Sequence, residues 1–158
     1  MRFLLFTFLF FLVTNLWAQN DLKTLKANSK SFPTNIDGMN LKTLKDFNEE
    51  VVAFDGIIKK VENSNNNTPS YKLKIKGGGY LWTVLMFKNE ANKKGDKIRV
   101  LGYLRQIVPS GREQEYLDGK YTVIVFGLVD FKKSKYLFVD GVENLKQEWL
   151  EEEIPSSK

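Results

Sequence analysis

The sequence predicts an all-β domain with flanking helices, in which five strands close into a barrel between a short N-terminal helix and an amphipathic C-terminal helix. Five strand-like runs separated by polar or glycine-rich turns carry this prediction, at residues 51–61, 71–76, 80–88, 96–107 and 121–131. Gly56 and Gly102 lie inside two of these runs, where a strand of a closed barrel must bend. An apolar stripe at helical spacing follows the last run.

The first 18 residues are predicted to be a cleavable signal peptide, so the protein is expected to be exported to the periplasm or secreted. An apolar run from residue 3 to 17 follows a basic residue, and Ala18 supplies the small residue before the cut. An uncleaved anchor is the alternative. Residues 19–40 are polar and without sustained periodicity, which indicates a loosely ordered lead-in to the domain.

A short helix is predicted over residues 40–49, where three apolar residues at helical spacing share one face. The barrel domain is expected to span residues 41–139. A further short run at 136–139 is expected to extend the fifth strand or to pair with it. The long polar segment at 109–120 is interpreted as the loop between the fourth and fifth strands.

The chain is predicted to close with an amphipathic helix at residues 140–154. Asp140 is the expected N-cap, and Glu143 stands three residues later, as in a capping box. Six acidic residues and one basic residue in this segment contrast with a basic body. The apolar stripe, which must pack against the barrel, consists of Val142, Leu145, Trp149 and Leu150.

The composition argues against catalysis. The chain contains no histidine and no cysteine, which excludes Ser-His-Asp and Cys-His nucleophilic systems, most zinc and copper sites, and haem ligation by histidine. The carboxylate pairs Glu49–Glu50 and Glu113/Glu115 stand in loop-like contexts and are interpreted as solvated surface. The sequence therefore predicts a protein that is not an enzyme and uses neither a metal nor a cofactor.

Two segments resemble a known fold. The run VAFDGII at 52–58 has a glycine in a bending first strand, and the run KGDKIRVLG at 94–102 makes a tight Gly-Asp entry into the fourth strand. Over residues 41–131 the chain resembles the nucleic-acid-binding OB-fold group, which includes bacterial anticodon-binding-like and exported relatives. The resemblance implies a five-stranded Greek-key barrel whose second and third strands form the binding face. The helix usual between the third and fourth strands has no room here.

The candidate site follows from this binding face. Three lysines alternate along one face of the second strand, and aromatic residues of the third strand lie beside them if Thr83, Leu85 and Phe87 point into the barrel. The opposite register buries Tyr80 and Trp82 instead. Rings interleaved with lysines provide stacking platforms and positive charge for a polymer backbone. The predicted ligand-binding residues are Tyr80, Trp82, Met86, Lys72, Lys74 and Lys76.

Two functional hypotheses remain open at this point. In the first, the protein is an exported binding module for an extended ligand, which is an oligosaccharide, a single-stranded nucleic acid or a peptide segment. Its partner is then an extended polymer or a protein of the cell envelope. In the second, the protein is a structural or adaptor protein whose lysine-bearing face is covered by its own acidic C-terminal helix.

Overall fold

A computed structural model of the chain describes residues 32–38 and 40–156, which form six strands and one α-helix. The predicted signal peptide lies outside these residues and stays a prediction. The described residues also form two 3-10 helices, at Asn40–Phe47 and Gly111–Glu115. The remaining elements are β1 (Val51–Asn63), β2 (Pro69–Ile75), β3 (Tyr80–Leu85), β4 (Lys97–Gln106), β5 (Tyr121–Asp130), β6 (Lys135–Phe138) and α1 (Glu143–Leu150).

The strands form one sheet that closes on itself. Their order is β3-β2-β1-β4-β5-β6 with antiparallel neighbours, and β3 also pairs with β5 in parallel, from Trp82 opposite Thr122 to Leu85 opposite Val125. The predicted closed five-stranded barrel is therefore confirmed, and its strand order is compatible with an OB-like fold. The short run near residue 136 is β6, which pairs with β5 residues 127–130, beyond the part of β5 that pairs with β3.

Two strand glycines sit where neighbouring strands approach too closely for a side chain. β1 pairs with β4 through its first half and with β2 through its second, and Gly56 lies where the two pairings overlap. A Cβ at Gly56 would stand 2.8 Å from the Cβ of Leu73. At Gly102, where the β4–β5 register shifts, a Cβ would stand 2.3 Å from the carbonyl oxygen of Ile124. Closure of the barrel therefore depends on glycine at both positions.

The barrel interior is filled by the inward residues of all five strands and by the N-terminal 3-10 helix, through Leu44 and Phe47. Within this core, the fully buried Tyr71 donates its hydroxyl to the carbonyl of Asn89 over 3.3 Å. Burial raises the pKa of Tyr71 to about 12. Its phenol therefore stays neutral at all ordinary pH values.

The N-terminal region differs from its prediction in two ways. The helix expected at 40–49 is a 3-10 helix that ends at Phe47, and the non-helical backbone of Thr43 (φ −117°, ψ 20°) interrupts it. Of the lead-in predicted over residues 19–40, residues 19–31 lie outside the described residues, whereas residues 32–38 contact the barrel. Phe32 is fully buried, and the backbone N–H groups of Asn35 and Ile36 donate to the carbonyl of Ala53.

The C-terminal helix is shorter than predicted. It begins at Glu143 with Val142 as N-cap, so the capping box on Asp140 was wrong. Gly141, at φ +87°, turns the chain after β6, and its N–H donates to the carboxylate of Glu143. The helix ends at Leu150 and not at residue 154, because Glu152 adopts a left-handed backbone at φ +77°.

The connection between β3 and β4 contains no helix, as expected, and a polar cluster fills this end of the barrel. The third strand ends at Leu85, three residues earlier than predicted. Asn89 donates to Asn92 over 2.8 Å, and Asn92 donates to the buried carboxylate of Asp130 over 2.6 Å. These hydrogen bonds satisfy side chains that burial would otherwise leave unpaired.

None of the helices in the described part of the chain has the length and apolarity to cross a membrane.

Candidate functional site

The outward surface of β2 and β3 carries the predicted site, and we call it the lysine face. On β2 the alternation is as predicted: Tyr71 and Leu73 are fully buried inside the barrel, whereas Lys74 is exposed on the outside. Lys72 shares this outward direction and is partly buried, and Lys76 follows the last residue of the strand in an exposed position. The three lysines therefore line one side of the sheet.

The register of β3 places its aromatic residues beside these lysines. Tyr80 lies opposite Lys74 and Trp82 opposite Lys72 in the antiparallel pairing. The alternate residues point inward, since Leu85 belongs to the core of the barrel and Phe87 packs against it. Thr83, which follows Trp82 in the strand, is fully buried and donates its hydroxyl to the backbone carbonyl of Tyr71 over 3.1 Å. The structure thus brings five of the six predicted residues onto one surface, with Met86 just beyond the end of β3.

Trp82 nevertheless lies under a second layer. Only 3% of its surface is exposed, compared with 54% for Tyr80. The layer comes from the β4–β5 connection at residues 107–120, which we call the covering loop. The ring of Tyr116 packs on the Trp82 ring with centroids 5.0 Å apart, and its hydroxyl lies 2.8 Å from the hydroxyl of Ser70. Burial raises the pKa of Tyr116 above its usual value.

Asp118 of the covering loop binds both Lys72 and Trp82. One carboxylate oxygen lies 2.6 Å from the Lys72 ammonium, and the other accepts the indole N–H of Trp82. The same ammonium stands 5.7 Å from the centroid of the Trp82 ring and 5.8 Å from that of Tyr80. The hydrogen bond from Lys72 holds the pKa of Asp118 below its usual value. A carboxylate, an ammonium and an indole N–H therefore form one contact at the middle of the face.

The start of the covering loop is fastened to the β1–β2 loop. The side-chain amide of Asn65 donates to the carbonyl of Ser110 over 2.9 Å, and its oxygen accepts the N–H of Arg112 over 3.0 Å. Gly111 adopts φ +54°, and a Cβ there would stand 2.7 Å from the Asn65 oxygen. The loop thus has a fixed base at residues 110–112 and reaches across the face from there.

The covering loop divides the face into two exposed parts. Lys74 and Tyr80 lie on one side of it. On the other side, a groove of about 330 Å³ opens beyond the end of β3, and Met86 is 51% exposed in it. The groove is lined by Asn66, Thr68, Val84, Leu85, Met86, Ile107, Glu113 and Ile124. Tyr80 and Val84 are four residues apart along the strand, or about 13 Å.

Neighbouring residues extend the positive surface onto β1. Lys60 lies opposite Lys72, and Ile57, which is 37% exposed, lies opposite Lys74. Lys60 pairs with Glu62 at 2.8 Å. Among the described residues, no carboxylate forms an ion pair with Lys74 or Lys76. The edge of the face away from the covering loop is thus the part with uncompensated positive charge.

The acidic C-terminal helix lies elsewhere on the barrel. Its Trp149 packs in a buried cluster with Val51, Ala53, Leu101 and Phe126, which belong to the outer side of β1, β4 and β5. This cluster contains no described residue of β2 or β3. The element that covers Trp82 is therefore the loop between β4 and β5, and the helix does not contribute to it.

Sequence reasoning did not identify Tyr116 and Asp118 as part of this surface. Both stand in a segment that its polar composition marks as a loop. The signal was the pair Tyr116-Leu117, because an aromatic and an aliphatic residue in an otherwise polar loop indicate a segment that packs on something. Which surface it packs on depends on a long-range contact between residues 82 and 116, which no local pattern encodes.

Comparisons with known proteins leave the site to be interpreted from its own chemistry. No model of a known protein family matches the chain, and no curated protein is similar to it in sequence.

Within residues 32–38 and 40–156, no group of three or more carboxylate, histidine or cysteine side chains is placed to hold a metal ion. Of the carboxylates considered above, Glu49 pairs with Arg105 at 3.1 Å, and Glu115 is exposed.

Proposed function

We propose that the protein is an exported, non-catalytic binding module that uses the lysine face to bind an extended ligand with repeated negative charges. The observation that carries the proposal is the exposed group of Lys74, Lys76 and Tyr80, whose lysines have no ion-pair partner among the described residues. An exposed ring next to uncompensated ammonium groups provides one stacking surface and two charges for a polymer backbone.

The chemistry of the face favours a polyanion among the three ligand classes expected from the sequence. Single-stranded nucleic acid offers flat bases and a phosphate in every nucleotide, and an acidic oligosaccharide offers sugar faces and spaced carboxylates or sulfates. Both match lysines spaced along β2, whereas a neutral peptide would leave the charges unused. The partly exposed Ile57, next to Lys74, widens the apolar strip on which a ring can lie.

Binding to labelled oligo-dT and to a labelled sulfated oligosaccharide, measured by fluorescence anisotropy over a range of salt concentrations, tests the proposal. We expect the double variant Lys74→Glu/Lys76→Glu to lower affinity by about tenfold or more and to reduce the salt slope by about 2. The matched control is Lys45→Glu/Lys132→Glu, which makes the same charge change at exposed positions outside β2 and β3. Equal losses in both double variants, or no binding of either polymer, would refute the proposal.

Export is part of this proposal and rests on the signal-like N-terminus of the chain. When the full-length gene is expressed in a bacterial host, the protein recovered from the periplasm or medium is expected to begin at Gln19. Intact-mass spectrometry measures this directly. A product that retains residues 1–18 and stays with the membrane or the cytoplasm would contradict it.

A second candidate function is favoured by the cover on Trp82. If the covering loop stays closed and the exposed lysines are only solvated surface, the protein is an adaptor whose partner docks elsewhere. The covering element is then the loop in place of the C-terminal helix. This adaptor would show no salt-dependent binding of either polymer, and substitution of Trp82 by alanine would affect its stability alone. The anisotropy experiment above therefore separates the two candidates.

A further inference from the structure

The contact among Asp118, Lys72 and Trp82 has the composition of an anion-binding site. Lys72 supplies a point charge, and Trp82 supplies an N–H donor that reaches the second oxygen of the same carboxylate. One ammonium and one N–H directed at two oxygens of a single group is an arrangement that also suits a phosphate or sulfate ester. In the structure, the group they bind is a carboxylate of their own chain.

We infer that Lys72 and Trp82 form an oxyanion subsite of the lysine face, and that Asp118 occupies it until a phosphate or sulfate group of the ligand takes its place. The inference deepens the proposed function and rests on it for the identity of the polymer. It assigns to the covering loop the role of an internal competitor, which an anionic ligand displaces when it extends from Lys74 toward the groove at Met86.

The position of Asp118 fits a group that can be exchanged. Its side chain is 67% exposed, so water and ligands reach the carboxylate while it is paired. Exposed ion pairs of this kind contribute little to stability, because solvent screens them and the side chains lose freedom. By contrast, Trp82 is 3% exposed and Lys72 is partly buried. The receiving groups are thus held by the barrel, and the occupying group is held by a loop.

The covering loop is held at its base and at Tyr116, and the glycine beside Asp118 is not packed. Its base at residues 110–112 is bonded to Asn65. Gly119 follows Asp118 directly at φ +140°, and a Cβ added there would come no closer than 4.0 Å to a neighbouring atom. A glycine in open space next to Asp118 gives the backbone freedom to move the carboxylate away from Lys72 while the base stays in place.

The indole N–H signals of the tryptophans, in proton–nitrogen correlation spectra, report on this subsite directly. In the variant Asp118→Ala we expect the Trp82 indole signal to move from its wild-type position and to return toward it, saturably, as inorganic phosphate is added. The wild-type signal is expected to respond much less, because the site is filled. Trp149 is the internal control, since its indole donates to the carbonyl of Pro33 over 2.8 Å away from the face.

The double variant Lys72→Ala/Asp118→Ala is expected to lose the phosphate response. An unchanged Trp149 signal in each variant shows that the fold is intact, so a missing response cannot be ascribed to unfolding. The inference is overturned if the Trp82 signal of Asp118→Ala keeps its position when phosphate is added, or moves only as much as the Trp149 signal does.

Polymer binding provides the second arm, with a charge-matched control in the same loop. Asp118→Asn is expected to tighten binding of oligo-dT or of the sulfated oligosaccharide by about two- to fivefold, the range that an exposed ion pair supports. Glu115→Gln removes one negative charge from an exposed position three residues away and is expected to change affinity less than about twofold. Equal gains in affinity in the two variants would mean that the effect comes from net charge alone, and they would overturn the subsite.

The two proposals fail differently. If Lys74→Glu/Lys76→Glu abolishes polymer binding but Asp118→Ala shows no phosphate response, the subsite is refuted and the proposed function stands. If Asp118→Ala binds phosphate at Trp82 but neither the wild type nor this variant binds a polymer, the subsite stands and the proposed function is refuted. Tightening for oligo-dT alone assigns the oxyanion to a phosphodiester, and tightening for the sulfated oligosaccharide alone assigns it to a sulfate ester.

Discussion

Two tryptophans on opposite sides of the barrel are both buried, but by different means. Trp149 is fully buried among apolar rings: it meets Phe32 edge-on with centroids 4.9 Å apart and Phe138 at 6.0 Å. Trp82 is almost as buried, yet its cover is one tyrosine, one carboxylate and a loop. We call the first arrangement, formed by Phe32, Phe138 and Trp149, the aromatic cover.

The difference separates a surface that serves stability from one that serves binding. The aromatic cover excludes water and joins residues 32–38, β6 and α1 to the outer side of β1, β4 and β5. Removing it would expose several large apolar side chains at once. The covering loop instead rests on Trp82 through one aromatic ring and one carboxylate, and an anionic group of a ligand can take the place of the carboxylate. An anionic ligand can make the same contacts to Lys72 and Trp82 as the Asp118 carboxylate does, so it can displace that carboxylate.

The largest effect that tests this comparison is expected from Trp149→Ala. Loss of a fully buried tryptophan removes its apolar contacts and leaves a cavity, so we expect the free energy of unfolding to fall by about 3–5 kcal/mol. Urea denaturation followed by circular dichroism measures the change. A ligand affinity within about twofold of wild type, measured under conditions where the variant is folded, is also expected, because α1 does not contact the lysine face.

The matched change on the other side is Tyr116→Ala. It removes the ring stacked on Trp82 at 5.0 Å and the hydroxyl that lies 2.8 Å from that of Ser70. We expect a loss of about 1–3 kcal/mol, since the ring pair contributes about 0.5–1.5 kcal/mol and the hydrogen bond about as much. Trp82 becomes more exposed, so its fluorescence emission is expected to move to longer wavelength. If Tyr116→Ala destabilises the protein as much as Trp149→Ala, the covering loop is structural and the comparison fails.

Much of the fold could be predicted from the sequence because its determinants are local. Alternation along β2, the bend-permitting Gly56 and Gly102, and the helical stripe containing Trp149 each appear within a few residues. The ends of the C-terminal helix could not be predicted, since they depend on left-handed backbone at Gly141 and Glu152. Asp140 had the right chemistry for a cap and was two residues too early.

The candidate site could be predicted only in part, for a related reason. The lysines of β2 follow from period-two alternation, and the orientation of β3 follows from its pairing with β2, which the sequence left open. The cover over Trp82 depends on contacts that are distant in the sequence. Asp118 stands 36 positions after Trp82 and 46 positions after Lys72. Such contacts are set by barrel closure, which brings the β4–β5 loop over β3.

The most direct test of the central claim is a map of where a polyanion contacts the barrel. Backbone and indole signals of the isotope-labelled protein are followed while unlabelled oligo-dT or the sulfated oligosaccharide is added. We predict that the largest shifts occur in β2, in β3 and at the Trp82 indole, while the Trp149 indole keeps its position. Shifts centred on α1 and residues 32–38, or none at saturating polymer, would contradict the assignment of binding to the lysine face.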